Sequence, residues 1–145
     1  VAVGRVGRGI EGFRRTHKEA QLARKVASLH QRPSTRCTSY DAVALDALMT
    51  QDVDEARRFV ERELAGLLDD SDANRRLAAT LEVFLHEESS FVRAARRLGI
   101  HENTVAYRVR RAEELLGRRT TDRQLELRTA LRLARFAPMG TTATD

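Results

Sequence analysis

Arginines are concentrated in one short stretch of this 145-residue chain. Residues 89–119 hold eight arginines and three acidic residues, and their net charge of +5 equals the formal net charge of the whole chain. Arg presents a planar fork of N–H donors that matches phosphate oxygens and the edge of guanine. The stretch therefore has the chemistry to bind a nucleic acid, although a charge run can also be a solvated helix face.

Other chemistries find less support. Cys37 is the single cysteine, so no internal disulfide can form and a cytoplasmic setting is expected. The four histidines lack metal-ligand spacing, and no Ser-His-Asp or Cys-His arrangement occurs. We therefore expect no catalytic residue, metal or cofactor. No apolar run reaches the roughly 18 residues that cross a bilayer, so no membrane partner is expected. The start without Met or a signal peptide suggests a piece of a longer chain.

The elements that must position the arginines form a predicted helix-turn-helix. Ser90 is a candidate N-cap for a helix over 91–98, and Gly99 suits the left-handed position that ends it. A longer helix is predicted over 102–116, ending at Gly117. Small residues are needed where the two helices cross, and apolar residues must fill the angle between them. The residues predicted to do this are Ala94, Ala95, Leu98, Gly99, Ile100, Val105 and Val109. An ordinary helical hairpin is the alternative.

The second helix divides into two faces at about 100° per residue. One face is apolar and is expected to pack on the core: Val105, Val109, Ala112 and Leu116. The opposite face is the one that a recognition helix would place in the major groove. Asn can pair with adenine, Thr can touch the thymine methyl group, and Arg can read guanine or bind phosphate. The predicted base-reading residues are Asn103, Thr104, Tyr107 and Arg111.

The remaining arginines of this stretch are predicted to contact phosphate. Arg93, Arg96, Arg97 and Arg110 are interpreted as phosphate clamps. Arg108 lies at the edge between the two faces, so a phosphate contact or a structural pairing is favoured over base reading. Glu102 is in the first turn, where it complements the helix dipole.

The rest of the chain predicts short elements around this motif. A strand end is expected at 1–4, a helix at 10–30 and a strand at 35–40. Asp41 is the expected N-cap of a further helix, and Asp52 or Asp54 caps the next one. A polar domain boundary follows at 69–72. Two more helices are expected, over 73–88 and 122–136. The last carries apolar residues on more than one face: Leu125, Leu127, Leu131, Leu133 and Phe136. One face could pack on the motif and another on a homodimer partner, or the helix could be fully buried.

The motif residues also resemble a known family. Ala94-Ala95, Leu98, the run from His101 to Val109, and Glu113 to Gly117 are similar to the C-terminal domain of PucR/CdaR-type transcription regulators. The resemblance implies transcription control in response to a metabolite. Helix-turn-helix proteins commonly pair to read two half-sites, so a homodimer or higher homo-oligomer on a double-stranded DNA operator is expected. The transcription machinery is a further expected partner of such a bacterial-type regulator.

Upstream, the resemblance is to the end of a degenerate cyclase-like (GGDEF-like) middle domain. It is carried by Val3-Gly4-Arg5, Gly12-Phe13, the helix with Glu19-Ala20, Tyr40-Asp41 and the helix with Phe59-Val60. No Gly-Gly-Asp/Glu-Glu-Phe signature is present, so cyclase activity is not predicted.

Taken together, the sequence predicts a mainly α fold. A C-terminal helical bundle with the helix-turn-helix (71–138) follows the α/β tail of the cyclase-like domain (1–70), and 139–145 form a disordered tail. A signalling enzyme using the Gly-rich segment 4–9 is an alternative, but the segment lacks the Lys-Ser/Thr ending of a P-loop. An RNA or protein adaptor is another, although only Phe91 and Tyr107 could stack on bases near the arginines.

Overall fold

The structure, a computed structural model, describes residues 1–29, 37–69 and 71–136. The predicted mainly α fold is confirmed, and the predicted tail at 139–145 lies outside the described residues. Seven helices occur in the described ranges, with a short 3₁₀ helix at Ala65–Leu67. They are α1 (Gly9–Leu29), α2 (Tyr40–Met49), α3 (Val53–Leu64), α4 (Asp72–His86), α5 (Phe91–Leu98), α6 (Glu102–Leu116) and α7 (Gln124–Leu133).

A small β-α-β unit forms the N-terminal part. Strand β1 (Ala2–Val3) pairs in parallel with β2 (Thr38–Ser39), and α1 is the crossover between them. In the Gly-rich segment, a Cβ on Gly4 would overlap the backbone of α1 at Thr16. Close packing on α1 therefore accounts for this glycine without a phosphate ligand. The unit has the expected α/β character, and its assignment to a cyclase-like domain stays a prediction.

The starts of α2 and α3 differ in how they are capped. The N-cap of α2 is Ser39, whose side chain makes no capping hydrogen bond, so the prediction of Asp41 as the cap is wrong. The Asp41 carboxylate instead accepts a hydrogen bond from Nε of Arg5 at 2.5 Å. Asp52 does cap α3, since its carboxylate accepts from the backbone N–H of Glu55 at 2.9 Å.

The last helix is shorter than predicted and is covered by the chain itself. It begins after Arg123, which has a left-handed φ of 54°, and ends at Leu133. Because α7 packs mainly against α3 and also against α4, most of its apolar residues are buried: Leu127, Leu131, Leu133 and the following Phe136. Only Leu125 remains exposed among the five residues predicted for a dimer contact. Of the two alternatives, the structure therefore favours the buried helix over a second apolar face.

The helices on both sides of the predicted boundary at 69–72 are in contact. Ser71 caps α4 by accepting from the N–H of Asn74 at 3.2 Å. Before it, the 3₁₀ helix packs so closely on α6 that a Cβ on Gly66 would overlap the carbonyl oxygen of Leu115. Within the described ranges, no helix is long and apolar enough to cross a membrane. The domain division itself stays a prediction, with Asp70 outside the described residues.

Candidate nucleic-acid interface

Helices α4, α5 and α6 pack together and form the frame of the candidate site. The hydroxyl of Ser90 accepts from the N–H of Arg93 at 3.3 Å and starts α5. Gly99 ends this helix with φ 65°, a left-handed conformation that costs other residues roughly 1–2 kcal/mol. The N–H of Ile100 then bonds the carbonyl of Ala95 at 3.1 Å, which closes the turn before α6. The local signals in the sequence thus produce a helix, a tight turn and a second helix.

The inward residues of the motif lie in the core. Ala94 and Ala95 are buried where α5 and α6 meet. Val105, Val109 and Ala112 form the buried face of α6, whereas Leu116 is half-buried. Leu98 and Ile100 are partly buried and pack against this cluster. The orientation of α6 about its own axis is therefore set by an apolar stripe.

The opposite face of α6 is open to solvent. Asn103, Tyr107, Arg110 and Arg111 are exposed, and Thr104 is half-buried. Nη1 of Arg111 bonds the carboxylate of Glu114, one turn further along, at 2.7 Å. This hydrogen bond, followed by the charge of Glu114, raises the pKa of Arg111. The four predicted base-reading residues therefore share one accessible face, with the guanidinium of Arg111 held by its neighbour.

Two of the predicted phosphate clamps are tied to the end of α4. Nε and Nη2 of Arg93 donate to the carbonyl of Glu87 at 3.2 and 2.9 Å. Nη2 of Arg93 also contacts the Glu88 carboxylate at 2.7 Å. Arg97 pairs with the Glu87 carboxylate at 3.1 Å. Both guanidinium groups thus hold the connection between α4 and α5, in which Glu88 and Ser89 have left-handed φ angles of 52° and 58°.

The other three arginines predicted to contact phosphate differ in their burial and in their hydrogen-bond partners. Arg108 is half-buried, and its Nη1 donates to Oγ1 of the buried Thr80 on α4 at 3.2 Å. This is the structural pairing that the sequence offered as one alternative. Arg96 and Arg110 are exposed, and their guanidinium groups form no hydrogen bond or ion pair with any part of the chain that the structure describes. They are the cations of this group that are free to meet a ligand.

Comparison with known proteins identifies the unit that holds these side chains. Residues 77–133 match the family model of the PucR C-terminal helix-turn-helix domain. On this similarity, residues 77–133 are called the PucR-type domain. The match runs from α4 to the end of α7, so it includes the whole candidate interface.

Similarity to two other proteins extends beyond this PucR-type domain. The chain is 35% identical over 86 residues to the purine catabolism regulatory protein of Bacillus subtilis (strain 168), covering 58% of this chain and 16% of that protein. It is 35% identical over 85 residues to the "uncharacterized protein in pkwA 5'region" of Thermomonospora curvata, covering 59% of this chain and 47% of that protein. The chain thus spans less than half the length of these relatives.

One solved structure is also similar. The regulator of polyketide synthase expression from Bifidobacterium adolescentis is 28% identical, with a TM-score of 0.44 over 91% of this chain and 52% of that one. No comparison tests the CdaR-like or cyclase-like parts of the resemblance, which stay predictions.

His101 has a capping role that the sequence did not predict. His101 is the N-cap of α6, and its ring Nδ1 accepts a hydrogen bond from the N–H of Asn103 at 3.2 Å. Its carbonyl accepts from the N–H groups of Thr104 and Val105 at 3.0 and 3.2 Å. The signal was present in the sequence, because His101 directly precedes the first residue of the predicted helix. Within the described ranges, no cluster of side chains could hold a metal ion.

Proposed function

We propose that this chain binds double-stranded DNA sequence-specifically as the output part of a transcription regulator. The observation that carries the proposal is the two-sided character of α6: Val105, Val109 and Ala112 are buried while Asn103, Tyr107 and Arg110 face solvent. A helix held in this way can lie in the major groove with its N-terminal residues at the base edges. The match to a PucR-type helix-turn-helix domain supports the same role.

Asn103, Thr104, Tyr107 and Arg111 are proposed to read bases. Arg111 would exchange its bond to Glu114 for a guanine edge or a phosphate. Asn103 is exposed at the start of α6, where a recognition helix approaches the bases most closely. The specificity is thus expected to concentrate in the first two turns of the helix.

The phosphate contacts are proposed to begin with Arg96 and Arg110, which have no partner among the described residues. Arg93 and Arg97 can add contacts only by giving up or sharing their bonds to Glu87 and Glu88. Arg108 is proposed to contribute less than the sequence predicted, since its guanidinium is engaged by Thr80.

The wider setting forms the second part of the proposal. We propose a non-enzymatic, cytoplasmic regulator that binds its operator as a homodimer or higher homo-oligomer, acts on the transcription machinery and responds to a metabolite. Support for the regulatory role comes from the Bacillus relative, whose name is purine catabolism regulatory protein. Dimeric binding rests on the general habit of helix-turn-helix proteins to read two half-sites about one helical turn apart.

Selection of bound duplexes from a random pool tests the proposal most broadly. An enriched half-site, repeated at a spacing of one helical turn, is the expected result. Affinity for the enriched duplex should fall steeply between low and moderate salt, because phosphate contacts release counterions. Recovery of no common sequence would contradict sequence-specific binding. Preferred capture of single-stranded RNA, or turnover of a nucleoside triphosphate, would favour the adaptor or the enzyme instead.

A further inference from the structure

The cap at the start of α6 fixes the state of the His101 ring. A backbone N–H can only donate, so Nδ1 must be the acceptor in its 3.2 Å bond with Asn103. A neutral imidazole carries one proton, which then has to be on Nε2. His101 is exposed, and Nε2 bonds no group in residues 1–29, 37–69 or 71–136. The ring therefore presents one N–H donor of fixed identity toward solvent.

Histidine is an unusual choice for this position if capping is its only task. Ser, Thr, Asp and Asn are the preferred N-caps, and this chain uses Asp52, Ser71 and Ser90 in that role elsewhere. Those side chains satisfy the helix but reach no further. An imidazole can bond the helix with one nitrogen and a second partner with the other.

We propose that His101 is a DNA phosphate contact, in which Nδ1 holds the first turn of α6 while Nε2–H donates to a phosphate oxygen of the duplex. This inference rests on the proposed function. Asn103 indicates why a phosphate would be in reach of Nε2. Its N–H is bonded to the same ring, and its side chain is proposed to read a base, so the His101 ring would lie beside the DNA backbone. Phosphate contacts beside a recognition helix fix its register without reading sequence. His101 would thus set the depth at which Asn103 meets its base.

Two substitutions separate the cap from the DNA contact. His101→Ser keeps a capping oxygen but has no donor at the Nε2 position, whereas His101→Ala loses both. We expect His101→Ser to unfold thermally near the wild-type temperature and His101→Ala to unfold earlier. Both variants should bind the duplex enriched by selection at least about tenfold more weakly, the loss expected for one hydrogen bond to a charged phosphate. His101→Asn serves as a second capping variant if His101→Ser does not fold.

The loss should be independent of sequence and of salt. A shuffled duplex of the same composition should lose affinity by the same factor, because a phosphate contact carries no base information. The slope of log affinity against log salt should stay at its wild-type value, since an uncharged donor releases no counterion.

Chemical modification of the DNA backbone identifies the phosphate that His101 contacts. The enriched duplex is prepared with a neutral methylphosphonate at each backbone position in turn. At one position, wild type should lose affinity while His101→Ser should not, because the two changes remove the same contact. Wild-type affinity in His101→Ser, or additive losses at every position, would overturn the proposal and leave His101 as a cap only. Failure of the wild-type chain to bind any duplex would instead refute the proposed function.

Discussion

At the scale of single residues, the arginines of the interface differ in what already binds them. Arg96 and Arg110 have no partner among the described residues, Arg93 and Arg97 are tied to acidic residues of the neighbouring turn, and Arg108 is half-buried. A guanidinium that is already bonded must exchange that partner before it can meet DNA. Bonding state therefore ranks these residues better than charge alone.

Arg108 is expected to matter for stability rather than for phosphate binding. Arg108→Ala removes a charged donor from the buried Thr80, so the free energy of unfolding should fall by about 1.5 kcal/mol. Urea unfolding followed by circular dichroism measures this. Arg110→Ala is the matched control, with little effect on stability but a salt slope lower by about one. A slope change in Arg108→Ala without lost stability would restore the phosphate role predicted from the sequence.

Glu114 is expected to restrain DNA binding by holding Arg111. Glu114→Gln weakens this exposed ion pair, which solvent screens, so DNA affinity should rise by at most about fivefold. Fluorescence anisotropy with the selected duplex gives the affinity. Glu61→Gln, an exposed position on α3, removes the same charge away from Arg111. Equal gains in both variants would show that only net charge matters.

Several residue roles could be predicted from sequence, and others could not. Ser90 and Gly99 act through their own local conformation, which neighbouring residues reveal. The Arg108–Thr80 bond joins residues 28 apart, and the Arg97–Glu87 pair spans ten residues and a turn. Such partners depend on how helices pack, which a single sequence does not show.

At the scale of elements, α6 is fixed at both ends by different means. His101 caps its start, and the 3₁₀ helix presses on its last turn at Leu115. Gly66→Ala should therefore destabilise the chain by about 1–3 kcal/mol through overpacking. Gly99→Ala, where a Cβ meets nothing but φ is 65°, should cost about 1 kcal/mol. A Gly66→Ala variant that unfolds like wild type would contradict a close contact at Gly66.

The elements themselves were predicted with uneven success. The bounds of α5 and α6 agree with the sequence prediction because caps and glycines mark their ends. The start of α7 does not, because Arg123 takes a left-handed conformation just before it. The burial of α7 was one of two open alternatives, since periodicity shows that a residue is apolar but not which helix covers it.

At the scale of the whole molecule, buried carboxylates join the upstream helices to the PucR-type domain. Glu63 on α3 is only 4% exposed and accepts hydrogen bonds from Arg118 at 2.9 Å and Arg123 at 2.8 Å. Asp46 on α2 is bound by Nε and Nη2 of Arg132 at 2.5 and 3.0 Å. This pairing raises the pKa of Arg132. Ion pairs between the upstream helices and the C-terminal helices thus support the helix-turn-helix.

Removal of the Glu63 charge is expected to weaken the whole fold. Glu63→Gln leaves two arginines without their carboxylate, so the free energy of unfolding should fall by about 2 kcal/mol. Glu55→Gln breaks an exposed pair with Arg58, which solvent screens, and should leave the free energy of unfolding nearly unchanged. Chemical denaturation of both variants provides the comparison. If Glu63→Gln were as stable as Glu55→Gln, the two parts would not depend on this contact.

The central claim, that the exposed face of α6 reads duplex sequence, is tested most directly at Asn103. The measurement is the ratio of affinities for the selected duplex and a shuffled duplex, in wild type and in Asn103→Ala. We predict that the substitution lowers the free energy of discrimination, calculated from this ratio, by about 1–3 kcal/mol. It should leave affinity for the shuffled duplex nearly unchanged and keep the salt slope. An unchanged ratio, with Asn103→Ala discriminating as well as wild type, would contradict the account.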